Sequence, residues 1–198
     1  MCEAIIIFYG SSIAKGSYMD LRIEKITGNT QDKQKIKDIY MSSFAVKDRM
    51  PFWMLLMVAK MKNTEFISFY DRDILCGFTF MLPIENLTYI MYLAVDETLR
   101  SKGYGSRILN EIQSMYPDNK IMLTIERCDE DAKNIEQRVK RKSFYLKNDY
   151  IETGYLQKLP GQKQEILIAN GKFDKDEFSC FFKKYSRGLM KPKLCKKT

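Results

Sequence analysis

Apolar positions along the chain switch between a period of two and a period near 3.6, and each switch marks a predicted element. Leu21 to Ile26 alternates as a half-buried strand, and Gly28-Asn29 turns the chain. Thr30 is placed to cap a helix running to about Phe44, with Ile36, Ile39 and Tyr40 on its apolar face. Pro51 suits the start of a second helix, whose run Phe52 to Val58 is read as mostly core. Three strands follow: Glu65 to Tyr70, Ile74 to Leu82 stopping at Pro83, and Leu87 to Val95. Ile108, Leu109 and Ile112 make the stripe of a helix, and Lys120 to Glu126 forms a strand. Because a helix separates that strand from the one before, the two should run parallel. Asp131 is expected to cap a basic helix reaching about Asn148. Strands at Tyr150 to Leu156 and Gln164 to Ala169 precede a last helix, Asp174 to Tyr185, with Phe178, Phe181 and Phe182 inward.

This order predicts an α/β (α+β) domain with a mixed central sheet of about six to seven strands flanked by helices. Residues 19–186 read as one domain, 1–18 as an N-terminal extension and 187–198 as a basic C-terminal tail. The net charge of +8 is concentrated at the end. Residues 183–198 hold seven bases and no acid, which leaves 26 bases against 25 acids elsewhere. Such a tail is either a solvated end or an anion-binding arm. A nucleic-acid- or ribosome-associated binding module is therefore the alternative reading, though the near-neutral body makes nucleic acid an unexpected partner. No stretch reaches the ~20 apolar residues of a membrane span, so no membrane is expected. Five scattered cysteines without a Cys-x-x-Cys pair point to a reducing, cytoplasmic setting and no metal. With no histidine in the chain, Ser-His-Asp and Cys-His catalysis are excluded.

The most informative stretch joins the strand ending at Val95 to the helix of Ile108. It carries Arg100, Lys102, Gly103 and Gly105. The first N–H groups of a helix lack internal partners and sit at the positive end of its dipole. Glycines let an anion approach them closely. Arg100-x-x-Gly103-x-Gly105 resembles the acetyl-coenzyme A loop of the GNAT (GCN5-related) N-acetyltransferase family, and the element order is close to that family's. A second landmark, Phe144-Tyr145 followed by Asp149-Tyr150, resembles the family's aromatic-Tyr-x-x-x-Gly-Phe stretch, with Asp149 in place of glycine.

The resemblance implies a GNAT fold and an acetyl-coenzyme A-dependent N-acyltransferase acting on a primary amine by direct attack. It implies that the fourth and fifth strands splay, with Leu93, Ala94 and Val95 pairing with the pantetheine. Arg100, Lys102, Gly103, Tyr104, Gly105 and Ser106 would hold the pyrophosphate, and Tyr145 would protonate the departing thiolate. The general base is less determined by the residues. Glu126, at the end of the fifth strand, is preferred over Glu85. Arg141, one turn before Tyr145 on the basic helix, is a candidate for the coenzyme A phosphates. A GNAT domain that binds acyl-coenzyme A without turnover is a further alternative. The acceptor, a small molecule or a peptide amine, and a homodimer are left open.

Overall fold

The computed structural model describes residues 20–129, 134–159, 162–189 and 191–197. The proposed extension at 1–18 and the Asp131 cap lie outside them. One eight-stranded sheet runs in the order β1-β2-β3-β4-β5-β7-β6-β8. Its strands are β1 (Arg22–Lys25), β2 (Glu65–Asp71), β3 (Ile74–Ile84), β4 (Leu87–Val95), β5 (Lys120–Glu126), β6 (Ile151–Leu159), β7 (Gln162–Ala169) and β8 (Lys193–Lys196). All neighbours are antiparallel except β4 and β5, which run parallel as expected.

Among the described residues, five α-helices cover the two faces: α1 (Lys33–Ser43), α2 (Phe52–Val58), α3 (Tyr104–Met115), α4 (Ile135–Leu146) and α5 (Lys175–Tyr185). On one face, Ile36 and Tyr40 of α1, Leu55 of α2 and Phe178, Phe181 and Phe182 of α5 pack on Phe78, Phe80, Tyr92, Met122 and Ile166. On the other, Ile108, Leu109 and Ile112 of α3 and Tyr145 of α4 pack on Met81, Ile90, Leu123, Ile125 and Leu167. The strict alternation of the strands divides the chain into these two cores. Among the described residues no helix is long and apolar enough to cross a membrane.

Three expectations need correction. Thr30 does not cap α1. Its hydroxyl accepts the Thr27 N–H at 2.8 Å, within the preceding turn, and α1 begins later, after Asp32. Pro83 does not end its strand, because β3 extends to Ile84 with Pro83 opposite Thr88. The missing donor is tolerated because β2 pairs with β3 only as far as Met81, so Pro83 needs a partner on one side only. The α2 run is mostly core as expected: Leu55 is fully buried and Phe52, Leu56 and Val58 pack half-buried beside it, while Trp53 and Met57 are 60% and 55% exposed on the outer side.

The third correction concerns the tail, where residues 193–196 add strand β8 to the edge of β6, with Leu194 opposite Gln157. Lys197 then reaches under α4, where it bonds Glu165 at 2.8 Å and Glu152 at 2.6 Å. The eighth strand is therefore the one the charge pattern concealed.

Candidate active site

The site is built where β4 and β5 separate. Their register runs Leu87↔Lys120 to Ile90↔Leu123 and stops there. Beyond it, Met91 to Val95 and Thr124 to Glu126 continue without facing each other. The cause lies on the other side of β4. Phe80 pairs with Tyr92 and Met81 with Ile90, so Met91 is one extra residue, a β-bulge. A bulge bends its strand and increases its twist. The edge of β4 carrying Leu93, Ala94 and Val95 therefore has no strand partner toward β5.

At the end of β4, a short 3-10 turn (Glu97–Leu99) leads to the glycine loop. Ser101 (φ +62) and Gly103 (φ +84) both adopt left-handed backbone. Gly103 then sits at the N-cap of α3, and no side chain caps the helix. The first amides of α3, in Tyr104, Gly105 and Ser106, thus remain available to an anion. Arg100 and Lys102 are exposed beside them. The first turn of α3 is fixed from behind, since the Tyr104 hydroxyl and the Arg107 guanidinium both donate to Asp71 Oδ2, at 2.9 and 2.8 Å. Hydrogen bonds from Arg107 and then Tyr104 hold the Asp71 carboxyl below its usual range. The Tyr104 side chain is thereby directed at the β2–β3 turn, which leaves its backbone N–H as the group facing the loop.

Gly105 has a different role from Gly103. A Cβ at Gly105 would meet the Phe144 ring at 2.9 Å, whereas one at Gly103 would meet nothing within 4 Å. Gly105 is small because α4 packs there. Phe144 in turn lies against Tyr145, ring centroids 5.0 Å apart. Tyr145 is buried on the α3/α4 face, and burial pushes its phenol up to about 12. Its hydroxyl is therefore neutral and a hydrogen-bond donor at any working pH.

Glu126 ends β5 with both oxygens engaged, Oε1 with Arg138 at 3.3 Å and Oε2 with Arg141 at 3.1 Å. Arg141 is thus held beside the open end of the splay by this pair. Glu85 is far from that end. It occupies the β3–β4 turn and pairs with Lys184 at 2.7 Å, five residues before Ile90, the last β4 position paired with β5.

The sequence reading missed a polar row on the α1/α2 face. Tyr89 Oη lies 2.9 Å from Thr124 Oγ1, and Thr124 donates to Gln164 Oε1 at 2.8 Å. The Thr124 proton is thus committed to Gln164, so Tyr89 donates to Thr124. Burial pushes the Tyr89 phenol up to about 12, in keeping with a donor. Above this row, the segment joining α1 to α2 is pinned from below. Tyr92 donates to the Asp48 carbonyl at 2.9 Å and Tyr40 to the Met50 carbonyl at 2.9 Å. Gln162 of β7 ties down the same segment, donating to Asp48 Oδ1 and accepting from Lys47, each at 3.0 Å. The signal in the sequence was Thr124, a polar residue inside the otherwise apolar Ile121 to Ile125.

The acetyltransferase (GNAT) family profile matches residues 33–137, and the chain belongs to that family. Solved structures agree in fold. A protein assigned to the GNAT acetyltransferases from Bacteroides thetaiotaomicron is 22% identical, with a TM-score of 0.68 over 83% of this chain and 96% of that one. An aminoglycoside 6'-N-acetyltransferase complexed with coenzyme A is 16% identical, with a TM-score of 0.59 over 77% and 99% of the two chains. The PaiA N-acetyltransferase from Thermoplasma acidophilum, in complex with coenzyme A, is also 16% identical, with a TM-score of 0.55 over 77% and 100%. Among curated protein sequences none matches the chain.

Proposed function

We propose that this protein transfers an acetyl group from acetyl-coenzyme A to a primary amine by direct attack. The observation that carries the proposal is the uncapped N-terminus of α3 at the end of a β4 edge that has lost its β5 partner. The amides of Gly103 to Ser106, with Arg100 and Lys102, would hold the pyrophosphate, and Leu93, Ala94 and Val95 would pair with the pantetheine amides. The coenzyme A complexes among the structural neighbours support the same reading. Thermal unfolding with and without acetyl-coenzyme A, followed by an amine screen for free-thiol release, tests it.

In the step itself the amine nitrogen attacks the thioester carbonyl, a C–N bond forms and the C–S bond breaks. The proton lost from nitrogen goes to a carboxylate or to water, and the thiolate departs. Tyr145 is assigned to the thiolate. A free thiol titrates near ~8.5, well below the raised phenol, so full proton transfer from Tyr145 is uphill and its part is hydrogen-bond donation. Tyr145→Phe should lower kcat about a hundredfold with little change in KM for acetyl-coenzyme A. The ratio of the two turnover numbers should stay constant from about pH 6 to about pH 9.5, because the phenol does not titrate there. Equal turnover would remove Tyr145 from the mechanism.

Glu126 is assigned to receive the ammonium proton, directly or through water, and Arg141 to meet a coenzyme A phosphate. Both assignments require the Glu126–Arg141 pair to loosen when substrate enters.

A further inference from the structure

Resting on the acetyl-transfer reading, we propose that Gln157 is a specificity-determining residue: its side-chain oxygen receives a neutral N–H or O–H donor of the acceptor amine. Gln157 is 6% exposed, and its Oε1 is one of two buried side-chain polar atoms without a hydrogen-bond partner among the described residues. Leaving a buried acceptor unmatched is costly, so such an atom in a folded protein calls for a reason. The other, Thr64 Oγ1, belongs to the turn before β2, away from the splayed ends.

The register shows where Gln157 stands. Gln157 lies opposite Gln164, and Gln164 lies opposite Glu126. Residues directly opposite share a face of the sheet. Gln164 is joined to Thr124, so the row Thr124–Gln164–Gln157 crosses the sheet from β5 to β6 on the face under α1 and α2, while Glu126, opposite Gln164 at the strand end, turns its carboxylate to Arg138 and Arg141 of α4. Leu194, opposite Gln157 on β8, packs into the same core and confirms the face. Gln157 is two strand spacings, about 10 Å, from β5.

The row therefore runs from the splayed end of β5 to an unmatched amide oxygen about 10 Å away. The segment roofing this face is the one that Gln162 secures through Lys47 and Asp48. A ligand lying along the row would present its reacting amine at the splay and a second donor at Gln157. No carboxylate pairs with Gln157, so a hydroxyl or amide N–H suits it better than a second ammonium. Amino alcohols and peptide amides both offer that chemistry.

Two pairs of probes separate the sources. The first is 8-amino-1-octanol against octylamine. The second is a tripeptide amide against its methyl ester, whose extended length of about 10 Å places the terminal N–H at the right distance. Each is assayed by thiol release with the wild type and with Gln157→Leu. The wild type should favour the donor-bearing member of one pair by about tenfold in kcat/KM, mostly through KM. The pair that shows the preference identifies the source. Gln157→Leu should bring that ratio to near one while keeping or raising the thermal midpoint, since it removes an unmatched oxygen. An unchanged ratio in the variant, or no preference in the wild type for either pair, would overturn the assignment. Absence of thiol release with all four amines, in a protein that acetyl-coenzyme A stabilises, would count against Gln157 selecting these acceptors. Absence of that stabilisation would instead count against the acetyl-transfer reading itself.

Discussion

Gly103→Val is expected to abolish the thermal stabilisation conferred by acetyl-coenzyme A, whereas Gly105→Ala is expected to lose stability first. The two glycines stand two residues apart and are small for opposite reasons. Gly103 has open space around its missing Cβ, but its φ is +84. A side chain in that region costs ~1–2 kcal/mol, and a β-branched one is a genuine outlier. Valine would drive the loop out of the left-handed conformation, and the amides of Tyr104 to Ser106 would lose their common direction. A ligand at 100 times its dissociation constant adds ~2.7 kcal/mol, a shift of a few degrees. The variant should unfold a few degrees below the wild type without ligand and show no shift with it. A full shift in Gly103→Val would mean that the loop does not hold the pyrophosphate.

Gly105→Ala has ordinary backbone but no room, because Phe144 carbons stand 2.9 and 3.0 Å from the new Cβ. Overpacking of this kind costs about 1–3 kcal/mol. Because Phe144 rests on Tyr145, the variant should also slow turnover, and Phe144→Leu in the same chain should restore stability. Failure of the second substitution to restore it would place the strain elsewhere.

Glu165→Leu is the second large effect, an expected loss of about 3 kcal/mol in urea unfolding at neutral pH. Glu165 is 3% exposed and accepts from Lys142 and Lys197, both at 2.8 Å, and from the Cys128 N–H at 3.4 Å. Without it, two ammonium groups remain under α4 with only Glu152 to share. Burial alone would raise the Glu165 carboxyl, but hydrogen bonds from Lys142 and Lys197 outweigh it and hold the group below its usual range. Lys142 and then Lys197 hold Glu152 down to about 2. Both folded values lie below the unfolded ones. Their stabilisation is thus complete above the ordinary carboxylate range of ~4.3 and lost as pH falls through the folded values, toward about 2 for Glu152. Wild type should lose stability steeply between about pH 4.5 and about pH 2, and Glu165→Leu less so. Parallel acid profiles would show that the cluster contributes nothing to acid sensitivity.

What the sequence disclosed and what it hid follow from the range of each interaction. The glycine loop, β4 and α3 are contiguous, so their roles could be read from spacing alone. The parallel β4–β5 pair follows from one crossover helix. The β-bulge at Met91 left no local mark, because it is defined by the partner strand. The same holds for Gly105, whose constraint comes from Phe144, 39 positions later. Glu126 looked like a free strand-end carboxylate until α4 brought Arg138 and Arg141 against it. The basic tail misled most. Lysine at a sheet edge and lysine in a frayed end have the same composition, and only pairing with β6 separates them.

That edge bears on how copies of the chain can assemble. Two β8 strands meeting about a two-fold axis, in the register that sets Leu194 against the other copy's Cys195, would bring Lys193 of each against Lys196 of the other. Like charges directly opposite in an antiparallel pair repel. Growth of the sheet through β8 in that register is therefore disfavoured by two like-charge pairs.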